Sequence, residues 1–160
     1  MASSPSFLPF LLLFFFFLFH FHRSSSLPLS VENPDDDVIV SWPKGTFTAG
    51  FSPVGENAYS FAIWFSTLAT TKTIVWMANR DQPVNGKRST LSLLKTGNLV
   101  LTDAGQFDVW STNTLSSKML ELHLFDTGNL VLREQSNQSV VLWQSFDFPT
   151  DTLLPGQILT

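Results

Sequence analysis

Few side chains in this sequence have the type and spacing that chemistry requires. Two of the three His residues, His20 and His22, end an apolar leader, and His123 sits in an apolar, strand-like run. A lone His there reads as a structural or surface residue rather than a general base. Ser145 and Asp147 are close in sequence, but no His neighbours them and no nucleophile elbow surrounds the Ser. The pairs Asp103/Asp108 and Asp147/Asp151 are of the residue type glycosidases use. Spacing along a chain does not set a carboxylate separation, so they read as loop charges. Gly86-Lys87-Arg88-Ser89 lacks the preceding Gly of a phosphate loop, and no Gly-bearing calcium loop follows Asp35-Asp36-Asp37. There is no Cys, which removes thiolate metal sites and disulfides together. The expectation is a non-enzymatic chain with no metal and no cofactor. A net charge of -4 leaves no basic footprint for nucleic acid. Asn137-Gln138-Ser139 is the one N-glycosylation sequon, expected in an exposed loop.

Those residues must be held by something, and the first division of the chain is between leader and body. Phe7 to Phe19 is apolar apart from Pro9, and His20, His22, Arg23 and Ser24-Ser25-Ser26 follow. This block is short of the roughly twenty residues of a membrane span. It reads as a signal peptide over residues 1–26, cut after Ser26, with an uncleaved signal anchor as the alternative. Beyond it lie eight basic and thirteen acidic residues, net charge -5, and enough chain to bury a core without covalent staples. No membrane span is expected in that mature part. Residues 27–37, with Pro28, Pro34 and the acidic triplet, read as a solvated lead-in.

From residue 38 to 160 the pattern is one of short strands. Val38–Val40, Tyr59–Phe65, Thr73–Met77, Leu91–Leu94, Asn98–Thr102 and Asn129–Arg133 are rich in β-formers, and Gly, Asn, Asp and Pro separate them. Only Ser116–Leu124 briefly resembles helix. Gly-Asn-Leu-Val-Leu occurs at 97–101 and again at 128–132, and apolar-Trp pairs end at Trp76, Trp110 and Trp143. The Trp spacings of 34 and 33 mark a repeated supersecondary unit. Three units imply pseudo-threefold symmetry, with the three Trp side chains meeting in a shared core.

At this point the residues carry a resemblance. Val75-Trp76-Met77-Ala78-Asn79-Arg80-Asp81-Gln82-Pro83-Val84 and Trp143-Gln144-Ser145-Phe146-Asp147-Phe148-Pro149-Thr150-Asp151-Thr152 resemble the extracellular S-domain of plant receptor-like kinases. Gly45-Thr46-Phe47-Thr48-Ala49-Gly50-Phe51 and the two Gly-Asn-Leu-Val-Leu strands fit in order. The resemblance implies a bulb-type lectin domain over 38–160, all-β, with the β-prism II fold of three antiparallel sheets. It implies a secreted or cell-surface location, as either a short secreted relative or the front of a receptor. It also leaves open a homodimer made by exchanged strands. Arg80 and Asp81, in the Asn-Arg-Asp-x-Pro motif, are expected to brace a turn.

Members of the family that bind mannose resemble one another through Gln-x-Asp-x-Asn-x-Val-x-Tyr, whose alternate side chains share one face of a strand. Here Leu94, Thr96 and Thr102 occupy the Gln, Asp and Tyr places, and Asn98 and Val100 match. In the other copy Phe125, Thr127 and Arg133 occupy them, and Asn129 and Val131 match. The first unit offers no Asn. The expectation is a degenerate carbohydrate site, with mannose binding weakened or lost, and a different glycan or a cell-surface protein as partner. The alternative is a protein-interaction ectodomain of a receptor-like kinase. The Gly-Asn pairs otherwise serve turn geometry and the sheet.

Overall fold

The computed structural model describes residues 27–32, 34, 35, 37–66 and 71–158. The leader expected over 1–26 lies outside them. The described chain forms twelve strands: β1 Leu29–Ser30, β2 Ile39–Val40, β3 Phe47–Gly55, β4 Ala58–Phe65, β5 Ile74–Met77, β6 Val84–Asn85, β7 Thr90–Leu93, β8 Leu99–Thr102, β9 Asp108–Ser111, β10 Leu120–Leu124, β11 Leu130–Glu134 and β12 Val141–Gln144. A short 3-10 turn covers Ser145–Asp147. The strands make three antiparallel sheets ordered β2-β3-β4-β5, β1-β7-β8-β9 and β10-β11-β12, with β6 added beside β4. This is the all-β arrangement the repeats predict. Ser116–Leu124 resolves into a bend and β10, since its apolar residues Leu120 and Leu124 go inward as strand ends.

The threefold relation is visible in the registers. Ile63 faces Trp76, Leu101 faces Trp110 and Leu132 faces Trp143 across the last strand pair of each sheet. The ladder shifts register immediately after each of them, at Ile63/Trp64, Leu101/Thr102 and Leu132/Arg133. A bulge bends and twists its strand, so the same bulge repeated three times turns each sheet toward the same axis. The three indoles meet there, with centroids 6.0, 5.8 and 5.5 Å apart and edge-to-face angles of 76°, 65° and 79°. That geometry sets the positive ring edges on negative ring faces. Around the indoles lie the inward residues of alternating strands, among them Phe51, Phe61, Ile63, Leu99, Leu101, Leu130 and Leu132, all fully buried.

The hairpins of the second and third units are also alike. Gly97 N donates to Leu94 O and Leu94 N to Asn98 O; Gly128 N donates to Phe125 O and Phe125 N to Asn129 O. Gly97 and Gly128 have φ of +87° and +86°, the left-handed turn position that a Gly fills without strain. The first unit closes differently, through Asn57 at φ 51°.

One expectation is corrected by the fold. Residues 29–31 of the lead-in are not solvated: β1 pairs with β7, Leu29 opposite Leu91, and Val31 N donates to Ser89 O. Leu29 and Val31 are buried in the core, and Asp37 Oδ2 accepts the Ser30 amide. Two prolines and an acidic run dominated the composition of this stretch, while its apolar alternation was only three residues long.

Candidate functional site

The face that matters for the strand motif is the outer one. Leu99, Leu101, Leu130 and Leu132 point inward, so Asn98, Val100 and Thr102 on one sheet, and Asn129, Val131 and Arg133 on another, lie on the opposite faces. The matching positions of the first unit, by register, are Ser60, Ala62 and Trp64, with no Asn among them. The three faces belong to separate sheets, so the structure does not bring Asn98 and Asn129 into one site.

Both carboxamides are engaged inside their own sheet. Leu99 N donates to Thr112 Oγ1, and that hydroxyl donates to Asn98 Oδ1 at 3.1 Å. Leu130 N donates to Ser145 Oγ, which donates to Asn129 Oδ1 at 3.3 Å, and Phe146 N reaches the same oxygen. Asn129 Nδ2 donates to Gln144 Oε1. Each of these strand N–H groups lies where the partner strand ends, β9 at Ser111 and β12 at Gln144, and a Ser or Thr two places beyond the Trp satisfies it under the hold of the Asn. In the first unit a single side chain does both jobs: Asn79 Oδ1 accepts Phe61 N, and Asn79 Nδ2 donates to Tyr59 O and Gln82 O. Val100 and Val131 are almost fully covered, at 3% and 1% exposure, so little of either ring-packing position faces solvent.

The outer face of β10-β11-β12 has a different composition. Arg133 Nε donates to Glu121 Oε1 at 2.8 Å, and Gln138 Nε2 donates to the same oxygen at 3.4 Å. The Arg133 guanidinium lies 5.5 Å from the Phe125 ring centroid, and the His123 ring meets Phe125 edge-on at 4.6 Å. Burial, then the Arg133 charge, lowers the His123 pKa from its ordinary 6.5 against the opposing pull of Glu121. A lone His packed this way fits the structural role expected for it. Asn137 sits exposed in the β11–β12 turn beside Gln138, where its carbonyl accepts Val140 N.

Asp103, read from the sequence as a loop charge, is corrected to a buried anchor, and Asp126, which no motif singled out, is a second anchor. Asp103, 4% exposed, accepts Asn85 N at 2.8 Å, both contacts from Asn85 Nδ2, Ser89 Oγ and Gly105 N. Burial alone would raise its pKa, but the hydrogen bonds from Asn85, Gly105 and Ala104 together hold it below the ordinary carboxylate value. A folded-state pKa below the unfolded one gives stability that is present above about pH 4 and lost as pH falls through the folded value. Asp103→Ala is expected to cost about 3 kcal/mol at pH 7, because several buried donors lose one charged acceptor. Urea unfolding of both proteins at pH 7 and pH 3 checks this: the gap must narrow in acid, and a gap independent of pH would contradict it. Asp126 plays a similar part, accepting Ser41 Oγ, Lys44 N and Thr46 N from the loop after β2. The Asn-Arg-Asp-x-Pro motif braces a turn: Arg80 Nη1 donates to Thr150 O, and Arg80 Nη2 lies 3.4 Å from Asp151. Asp81 is exposed beside them, in the rim of a shallow cleft of about 410 Å³.

Known proteins match this architecture. The chain is 38% identical over 155 residues to the receptor-like serine/threonine-protein kinase SD1-8 of Arabidopsis thaliana, covering 93% of the chain and 18% of that protein. A G-type lectin S-receptor-like serine/threonine-protein kinase of the same plant is 44% identical over 128 residues, covering 76% of the chain and 15% of the kinase. The chain thus spans less than a fifth of the length of these relatives. Among solved structures, the Japanese Marasmius oreades lectin superimposes with a TM-score of 0.50 at 20% identity, over 78% of this chain and 92% of that one, a likeness of fold. The profile of the D-mannose binding lectin family matches residues 73–160, which hold strands β5 to β12. With its three bulged sheets closing on three indoles, the chain belongs to the D-mannose binding (bulb-type) lectin family.

Proposed function

We propose that this chain is a secreted or cell-surface glycan-recognition domain in which mannose binding through the strand motif has been lost. The observation that carries the reading is the engagement of Asn98 and Asn129 by Thr112, Ser145, Phe146 and Gln144. The neighbouring places hold Leu94, Thr96, Phe125, Thr127 and a paired Arg133 instead of groups aimed at sugar hydroxyls. A sugar hydroxyl leaves water only for a better-placed partner, so a strand without such partners gives no affinity. Residues 1–26 act as the signal peptide in this reading, residues 38–160 form the lectin domain, and Asn137 carries an N-glycan in its exposed turn. No helix among the described residues is long and apolar enough to cross a membrane.

A second reading is a protein-interaction ectodomain of a receptor-like kinase. It is favoured by exposed Leu94, Leu115 and Met119, which are 46%, 82% and 75% accessible, and by the receptor-like kinases among the relatives. One preparation separates the two. The full chain, secreted from plant cells, is weighed before and after removal of N-glycans and then screened on a glycan array with free-sugar competition. The proposal expects a new N-terminus after Ser26, one glycan, and saturable binding to glycans other than mannose. A folded protein that binds no glycan sinks the lectin reading and leaves the protein partner.

A further inference from the structure

Asn85-Gly86 is the one Asn-Gly pair in the sequence. This dipeptide is the least shielded against loss of the side-chain amide, because the Gly has no Cβ to hinder the approach of its nitrogen to the Asn carboxamide. The fold nevertheless requires the Gly. A Cβ built at Gly86 would lie 2.7 Å from Asn57 Oδ1 and 2.7 Å from Tyr59 Cε2. The same surroundings engage both groups that would react. Gly86 N donates to Asn57 Oδ1 at 3.1 Å, and Asn57 Nδ2 donates to Asn85 Oδ1 at 3.4 Å. Asn85 Nδ2 donates to both oxygens of Asp103 at 3.0 Å, and Asn85 N donates to Asp103 Oδ1 at 2.8 Å. Asn85 pairs with Ala58 as the last residue of β6, and it is exposed, so water reaches it.

We infer that Asn85 is a deamidation site, guarded in the folded state by Asp103 and Asn57, whose conversion releases the β6 segment in one direction only. The inference does not depend on what the domain binds. In the first step a bond forms between Gly86 N and Asn85 Cγ. The amide nitrogen gives up its proton, and the side-chain nitrogen leaves as ammonia. Water then opens the cyclic imide. Cleavage of the new Cγ–N bond leaves Asp at this position, and cleavage at the original peptide carbonyl leaves an isoaspartyl link with an extra backbone carbon. Ring closure turns the carboxamide onto Gly86 N, so the contacts with Asp103 and Asn57 open first, by local unfolding. Neither product can restore them. An Asp here sets a second carboxylate against Asp103, where the Asn85 amide nitrogen lay 3.0 Å from both oxygens, and like charges so close repel. The isoaspartyl link lengthens the backbone that pairs with Ala58. The segment released is one the core uses. Val84 is buried beside it, and Ser89 donates to Asp103 while its carbonyl accepts Val31 N from the strand β1 end. A reversible opening thus becomes permanent, and the step limits the lifetime of the native protein.

The test incubates the full chain in mildly alkaline buffer, folded and in urea, beside folded Asp103→Asn and Asn57→Gly. Peptide mass mapping follows the fraction of Asn85 converted, and near-ultraviolet circular dichroism identifies which variants are folded. Asn57→Gly keeps the left-handed turn at φ 51° and removes only the side chain, so it serves if Asp103→Asn does not fold. The unfolded wild type should convert fastest. Each folded variant should convert faster than the folded wild type, Asp103→Asn by at least about tenfold, because the rate follows the open population. Asn85→Asp, which is the product made directly, should unfold at lower urea than Asn85→Ala, since it adds a repulsion to the lost donors. No conversion of Asn85 in urea overturns the site. A folded wild type that converts as fast as the unfolded chain, or folded variants no faster than wild type, overturns the guard. An Asn85→Asp protein as stable as Asn85→Ala overturns the one-way release.

Discussion

Trp143→Ala is expected to lose about 4 kcal/mol of folding stability, the range for truncating a buried Trp in a packed core. The indole is 7% exposed and packs against Trp76 and Trp110 with centroids 5.8 and 5.5 Å away. Phe148 stacks on its other face at 6.0 Å, with an interplanar angle of 10°. Its removal opens a void where all three sheets meet, and no single sheet can collapse into it without shifting its bulge. The substitution also removes the ring on which Phe148 stacks, in the segment that Trp76 Nε1 holds by donating to Phe148 O at 2.7 Å. Urea unfolding with near-ultraviolet circular dichroism reads the effect, and Trp143→Phe should lose clearly less. A loss under about 1.5 kcal/mol would mean that the three indoles are not a shared keystone.

The second large effect is expected at Gly97. Its φ of +87° disfavours any side chain, and a Cβ built there would lie 2.8 Å from the Ser116 amide nitrogen and 3.1 Å from Ser116 Cβ. The obstacle is backbone held in place, because Ser116 N donates to Thr96 O at 2.9 Å. Relief requires breaking that bond or opening the β7–β8 turn. Gly97→Ala should therefore cost about 3 kcal/mol, from left-handed strain and steric displacement together. Gly156 makes the control: its φ is +88°, but nothing lies within 4 Å of an added Cβ. Gly156→Ala should lose only the backbone part, about 1 kcal/mol. Equal losses in thermal unfolding would show that the Ser116 backbone yields freely.

Much of this fold was legible because its signals repeat. The Gly-Asn-Leu-Val-Leu copies and the Trp spacing of 34 and 33 specify three units, and the rings do meet. The inner hydroxyls were not read from the sequence, although a signal for them exists: Trp110 and Trp143 are each followed two places later by Thr112 or Ser145. That recurrence marks the partner that each Asn holds. The strand at Leu29–Ser30 was not legible, because its pairing with β7 depends on residues about sixty positions away. Asp103 and Asp126 were missed for a related reason. Their donors, Asn85 and Ser89 for one and Ser41, Lys44 and Thr46 for the other, are brought to them only by tertiary structure.

In the function proposed above, the Asn residues of the strand motif serve the fold and not a sugar. The measurement that tests it most directly pairs urea unfolding with titration of an α-linked mannose oligomer, on the full chain and on Asn129→Ala. The wild type is expected to show no saturable mannose binding. Asn129→Ala is expected to lose about 1–2 kcal/mol, the cost of leaving the Ser145 hydroxyl and the Phe146 amide without their acceptor. A wild type that binds mannose, and an Asn129→Ala protein that keeps full stability while losing that binding, would contradict it.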